Sequence, residues 1–198
     1  MEEILLRIIV VGDSSVGKTC FVVKFTEGRF IDAHDITIGV ELGNRVLKVE
    51  NKILKFQIWD TSGQENYRSV TRSFYRRAGC AILMFDLTDS SSYHNCESWV
   101  REIKQNSKDD ILLYLVGNKS DLVTEEIVSQ SEIEKFVALN GILAYKKTSA
   151  KTGENIESVF EEAAARLVEM DKGANPKDSG KFEIQKVSQA KSKKKKCC

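Results

Sequence analysis

Apolar residues fall along the chain in short runs. Ile4–Val11 is one, and it ends in Gly12. Cys80–Phe85, Ile111–Val116 and Ile142–Tyr145 are others. Short runs of this kind predict strands covered on both faces, as in a parallel sheet. Between them the apolar spacing changes to three and four. Tyr93, Cys96, Val100 and Ile103 follow that spacing, as do Ile156, Val159, Phe160, Ala163, Leu167 and Met170. Both sets predict helices with one apolar face. Ile133, Phe136 and Val137 mark a further helix, with Asn140-Gly141 as its stop.

Leu42–Trp59 reads differently, as two strands joined at Glu50-Asn51-Lys52. In "ILKFQIW", Leu54, Phe56 and Ile58 share one face of the second strand. Trp59 shares the other with Lys55 and Gln57, which predicts a solvent-facing indole. The βαβ units and the hairpin together predict an α/β fold with a mostly parallel sheet.

Length and composition narrow the class. A chain of 198 residues suits one domain with a substantial core. It has no apolar stretch long enough to cross a bilayer. Its start, "MEEILLRIIVVG", lacks the basic opening of a signal peptide, so none is expected. Cys20, Cys80 and Cys96 lie in apolar runs and read as reduced core residues. Cys197 and Cys198 close the chain. An odd cysteine count without a secretion signal fits the cytosol. Neither His34 nor His94 has metal-ligand company, and both read as solvated; Trp99 reads as helix packing.

Charge is divided unevenly. The whole chain carries +1, but residues 173–198 hold eight lysines against Asp178 and Glu183, a net +6. Residues 1–172 therefore carry −5. An acidic body argues against nucleic acid as a partner, and the basic tail is a local electrostatic device. Beyond Lys172 the sequence turns to Gly, Asn, Asp, Ser and Lys, with the chain's one proline, Pro176. The expected division is a folded domain over 1–172 and a disordered tail over 173–198.

The chemistry begins directly after the first strand. Gly12-Asp13-Ser14-Ser15-Val16-Gly17-Lys18-Thr19 matches G-x-x-x-x-G-K-[ST] between a predicted strand and a predicted helix. That context defines a P-loop, whose backbone N–H groups cradle phosphates. Ser14, Ser15, Val16, Gly17, Lys18, Thr19 and Cys20 are the expected nucleotide-binding residues of this segment. Lys18 supplies charge to the β- and γ-phosphates, and Thr19 offers a hydroxyl to Mg²⁺.

Asn118-Lys119-Ser120-Asp121 follows the third apolar run. A carboxylate there can accept two hydrogen bonds from guanine, which adenine cannot donate, so Asp121 is the expected base selector. Asn118 would tie its loop to the P-loop, and the Lys119 stem would cover the base. In Ser149-Ala150-Lys151 the Ala150 N–H is expected to meet the guanine O6. All these loops leave the C-terminal ends of strands, where open α/β sheets bind ligands. In Asp60-Thr61-Ser62-Gly63-Gln64, Asp60 is expected to reach Mg²⁺ and the Gly63 N–H the γ-phosphate. Gln64 is placed to orient an attacking water.

The P-loop, "WDTSGQE", "NKSD" and "TSAK", in this order, resemble the Ras superfamily of small GTPases. "IGVEL", "KFQIWDTSG", "QENYRSVT", "FYRRA", "LMFDLT" and the terminal Cys-Cys resemble its Rab branch. The resemblance implies a P-loop small GTPase fold: a mostly parallel six-stranded sheet with one antiparallel edge strand and helices on both faces. It implies a GTP/GDP switch that hydrolyses GTP with Mg²⁺ and recruits effectors in vesicle trafficking. It adds Thr37 as a ligand of Mg²⁺ and γ-phosphate, so that the catalytic set is Gln64, Lys18 and Thr37 and the metal set Thr19, Thr37 and Asp60. Phe30 would pack against guanine. Leu42, Trp59 and Phe74 would form the effector surface. The partners implied are an exchange factor, a GTPase-activating protein, a GDP-dissociation inhibitor, a prenylation escort protein and effectors, acting on a monomer. Cys197 and Cys198 would carry geranylgeranyl groups that hold the protein to the cytoplasmic face of an intracellular membrane, cycling with the cytosol.

Four positions depart from the family pattern. Ser62 replaces alanine, Ser14 replaces the glycine of Ras proteins, Leu42 replaces phenylalanine and Arg77 replaces glycine. Ser62 beside the γ-phosphate has two readings, a harmless replacement or one that perturbs the switch and slows intrinsic hydrolysis; slow hydrolysis is the hypothesis carried forward. The alternative reading is a nucleotide-binding module with negligible hydrolysis, against which Gln64 argues. A P-loop kinase for a small metabolite would not need N-K-x-D.

Overall fold

The computed structural model describes residues 2–32, 37–49, 51–63, 68–124 and 127–171, with backbone alone for 68–71. His34, Gln64 and the tail with Cys197 and Cys198 lie outside the described residues. The described residues form six strands and five α-helices, in the order β1 (Glu2–Val11), α1 (Lys18–Glu27), β2 (Val40–Val49), β3 (Lys52–Thr61), α2 (Arg68–Tyr75), β4 (Cys80–Asp86), α3 (Ser90–Asn106), β5 (Leu112–Asn118), α4 (Gln130–Asn140), β6 (Ala144–Lys147) and α5 (Ile156–Asp171). The sheet order is β2-β3-β1-β4-β5-β6. Only edge strand β2 runs antiparallel, paired to β3 from Val40 opposite Thr61 to Val49 opposite Lys52. The parallel sheet and the hairpin are as the apolar pattern predicts. No described helix is long and apolar enough to cross a membrane.

Helices cover both faces, which is why the central strands lack alternation. On one face Ile8, Val10, Ile82 and Met84 pack with Phe21 and Phe25 of α1 and Phe160 of α5. Phe160 stacks on Phe25 at 3.8 Å between ring centroids and on Phe21 at 5.1 Å. On the other face Ile9, Val11, Leu83 and Phe85 pack with Tyr75, Trp99, Val100 and Ile133. Cys80 and Cys96 are buried in these layers, as expected, and burial pushes both thiols far above their ordinary range.

Two expectations need correction. Trp59 is buried, not solvent-facing, at 6% exposure. The alternation that places it with Lys55 and Gln57 holds only toward the start of β3. At the far end α2 closes over the same face, and the Phe74 ring sits 5.3 Å from the indole. The last apolar run also starts late as a strand. Gly141 takes a left-handed conformation, φ 67°, as the C-terminal cap of α4, and the Ile142 N–H bonds back to Val137 O. Ile142 thus seals the helix end, and β6 begins at Ala144.

Helix starts carry their own anchors. Asp89 caps α3 by accepting from the Ser91 N–H. Ser129 and Glu132 form a capping box at α4.

Phe160 joins three aromatic rings across one layer of the core, and it has no exposed surface. Phe160→Ala is expected to cost about 3–5 kcal/mol, read as a lower urea midpoint with an unchanged slope.

Candidate functional site

The loops at the C-terminal ends of β1, β3, β5 and β6 surround one cavity of about 560 Å³. Its floor is the P-loop. Gly12 has φ 138°, and a Cβ there would lie 2.1 Å from Met84 O. Only glycine allows the loop to leave β1 this close to β4. Gly17, φ 92°, opens α1, so the loop passes directly into a helix N-terminus.

Lys18 turns back over this loop. Its Nζ donates to Gly12 O at 2.9 Å and Asp13 O at 2.6 Å. Burial lowers its pKa to about 8, against the opposing pull of Asp60 and Asp13. A buried cation held by neutral carbonyls is poised for an anionic ligand.

Beside it, three hard oxygens converge. Thr19 Oγ1 donates to Asp60 Oδ2 at 2.6 Å and lies 2.9 Å from Thr37 Oγ1. Thr19 has one hydroxyl proton, so Thr37 is the donor in the second contact. Two hydroxyls and a carboxylate, next to a phosphate-shaped loop, fit Mg²⁺. These are the three expected metal ligands, brought together from α1, β3 and the 37–39 segment. Gly63 presses its backbone on the P-loop, where a Cβ would lie 2.1 Å from Ser14 N. Ser62 is buried, lines the cavity and donates its N–H to Gly39 O at 2.8 Å.

The opposite end of the cavity is built around Asn118. Its Nδ2 donates to Val16 O at 2.9 Å, which is the expected tie to the P-loop. Its Oδ1 accepts from the Ala150 N–H and from Thr148 Oγ1, both at 3.2 Å. The Ala150 N–H, expected to face a base, is therefore directed at Asn118 in this structure. Asp121 accepts from Ser149 Oγ at 2.5 Å. Lys119 takes a left-handed conformation, φ 66°, and its Nζ lies 2.6 Å from Asp86 Oδ2. Burial alone would raise the Asp86 carboxyl, but hydrogen bonds from Lys119 and Thr88 outweigh it and hold the group below its ordinary value.

Of the expected nucleotide-binding residues, Ser14, Ser15, Gly17, Lys18, Thr19, Cys20, Phe30, Thr37, Gly63, Asn118, Lys119, Asp121, Ala150 and Lys151 line this cavity. Val16 and Ser149 stand behind it, buried, as hydrogen-bond partners of the wall. Cys20 is only half-buried, not core; its thiol contacts Ile31 O at 3.6 Å. Sequence reading missed Asp86 and the cavity residues Ile31 and Asp32. The position of Asp86 at the end of an apolar strand was its one available signal.

A sequence model of the Ras family matches residues 7–169. The chain belongs to the Ras family. Ras-family small GTPases bind GTP and GDP, typically with Mg²⁺, and generally hydrolyse GTP. They act with exchange factors, activating proteins and effectors. In this Ras-family chain the P-loop and the N-K-x-D loop meet through Asn118 around one cavity. The effector trio expected of it is spread over different environments. Leu42 is 52% exposed, Phe74 is half-buried and Trp59 is buried.

Lys18 gives the nucleotide-free protein a pH signature. Its folded value, about 8, lies below the ordinary 10.5. The unfolded chain holds more protons between these values, so stability rises with pH across that window. Lys18→Met is expected to flatten the Lys18 share of that rise. Urea midpoints of the nucleotide-free wild type and variant across the window check it.

Proposed function

We propose that this Ras-family chain is a Rab-like GTP/GDP switch in intracellular vesicle trafficking. The observation that carries the nucleotide reading is the joining of the phosphate loop and the N-K-x-D loop by Asn118 around one cavity. Residues 1–172 form the GTP-binding domain in this reading. The P-loop N–H groups and Lys18 hold the β- and γ-phosphates, and Asp121 selects guanine. The Lys119 stem and Phe30 cover the base. Thr19, Thr37 and Asp60 would hold Mg²⁺, which when bound neutralises phosphate charge. Gln64 orients the attacking water, and hydrolysis is slow until an activating protein engages. Slow hydrolysis makes the nucleotide a timer for the surface that effectors read around Leu42 and Phe74, with Trp59 packed beneath Phe74.

The Rab reading is supported by "IGVEL", "KFQIWDTSG", "QENYRSVT" and the Cys-Cys terminus. Residues 173–198 act as a basic tether that carries lipids on Cys197 and Cys198. Stable anchoring takes two signals, and two prenyl groups supply them. Lys191 and Lys193–Lys196 add roughly 1 kcal/mol each beside an anionic leaflet. The acidic body contributes no such attraction, so the tail does the holding on the cytoplasmic face. A prenylation escort protein delivers the lipids, and a GDP-dissociation inhibitor returns the protein to the cytosol.

Asp121→Asn tests the nucleotide reading. It is expected to move preference from GDP toward xanthosine diphosphate; unchanged guanine selectivity would refute the role. Replacing Cys197 and Cys198 together by serine tests the anchor. GTP binding is expected to persist while the protein moves from the membrane fraction to the cytosol, and continued membrane association would sink the anchor.

A further inference from the structure

The P-loop contains a carboxylate that turns away from the cavity. Asp13 Oδ1 accepts a hydrogen bond from Trp99 Nε1 at 2.7 Å, and Oδ2 accepts one from Asn95 Nδ2, also at 2.7 Å. Each oxygen has its own donor from α3. Asn95 and Trp99 are four residues apart, so both project from the same side of the helix. Trp99 is 3% exposed within the core layer, so packing fixes where its N–H points. Packing alone accounts for a buried indole. It does not account for an N–H aligned on a carboxylate, nor for a second donor at matching helical spacing.

The main chain of Asp13 has separate duties. Its carbonyl oxygen accepts from Lys18 Nζ, and the backbone of Gly63 rests against the Asp13–Ser14 peptide. The side chain of one residue is thus held by α3, while its backbone meets the phosphate lysine and the segment entering residue 64.

We infer that Trp99 and Asn95 are positioning residues for the phosphate-binding loop. By gripping the Asp13 carboxylate they hold the loop in its phosphate-binding shape before nucleotide arrives, and so set how slowly nucleotide leaves. The inference rests on the GTP-binding reading above. Its physical basis is preorganisation: a loop already ordered when free loses less entropy on binding. Hydrogen bonds to an ionised acceptor are roughly twice as strong as neutral ones, so the grip is firm.

The test is the dissociation rate of a fluorescent GDP analogue from the full chain, with thermal unfolding followed in parallel. Trp99→Phe keeps the ring and removes the donor. It is expected to speed dissociation roughly tenfold, in line with losing one charge-assisted hydrogen bond. Asn95→Ala, at an exposed position, is expected to speed it about threefold, since the amide is solvated on the helix surface. In an Asp13→Ala background both substitutions are expected to add nothing further. A purely structural role for Trp99 would lower the melting temperature and give additive rates in that background, which would overturn the inference. Unchanged rates in folded variants would overturn it too. If Trp99→Phe does not fold, Asn95→Ala alone and in the Asp13→Ala background decides the matter by the same criteria. A wild type that holds no GDP overturns the GTP-binding reading and this inference together. A wild type that holds GDP, with variants that release it at the wild-type rate, overturns the inference alone.

Discussion

The side chain of Asn118 is the joint on which the site depends. It is 1% exposed, and one amide makes three hydrogen bonds to two other segments. Its donor holds Val16 O in the P-loop, and its acceptor receives the Ala150 N–H and the Thr148 hydroxyl. A buried polar group must find partners or lose the free energy of its lost hydration. Asn118 therefore cannot sit at the end of β5 unless the P-loop and the loop after β6 are already in place. The site is assembled by the same bonds that keep a buried amide satisfied. Side chains of similar size do not replace it: leucine offers no partner to the three groups, and aspartate lacks the donor that Val16 O requires.

Lys18 shows the opposite balance. Its ammonium is buried among carbonyls, and its lowered pKa records the cost of that burial. A protein shaped only for stability would not place a cation there. Asp60 and Asp13 offset part of the cost, and Asp60 does so while bonded to Thr19. The Asp60 carboxylate that offsets part of the lysine's burial is also one of the three oxygens that would hold the metal. The hairpin that carries Asp60 is held down by Arg45, which donates to Phe25 O and Glu157 and lies 4.4 Å over the Phe25 ring.

Much of this arrangement is legible in the sequence because it is local. Gly12 to Thr19 is a contiguous loop whose residue types are dictated by backbone shape and phosphate charge, and a preceding apolar strand supplies the context. The sheet is legible because strands buried on both faces leave unbroken apolar runs. Misreadings occur where a distant segment decides the environment. Trp59 follows the alternation of a half-exposed strand, but α2 covers the end of that face, and nothing in β3 announces it. Cys20 sits in an apolar stretch yet opens onto the cavity, because α1 turns that side toward it. Asp86 and Trp99 are paired with residues far along the chain, Lys119 and Asp13, and pairings of that range leave no periodic mark. The Ala150 N–H lies at the cavity wall and is directed at Asn118 Oδ1, a pairing across 32 residues that leaves no periodic mark either.

The helix α3 is tied to both ends of the cavity. Near its start, Ser92 Oγ accepts from the Asp86 N–H, and Asp86 grips Lys119. Two turns on, Trp99 grips Asp13. The seven residues from Ser92 to Trp99 span about 10 Å of rigid rod. The N-K-x-D end and the P-loop end of the cavity are therefore both tied to one straight helix. A ligand that is to engage both ends meets a spacing set by a helix and not by the loops themselves.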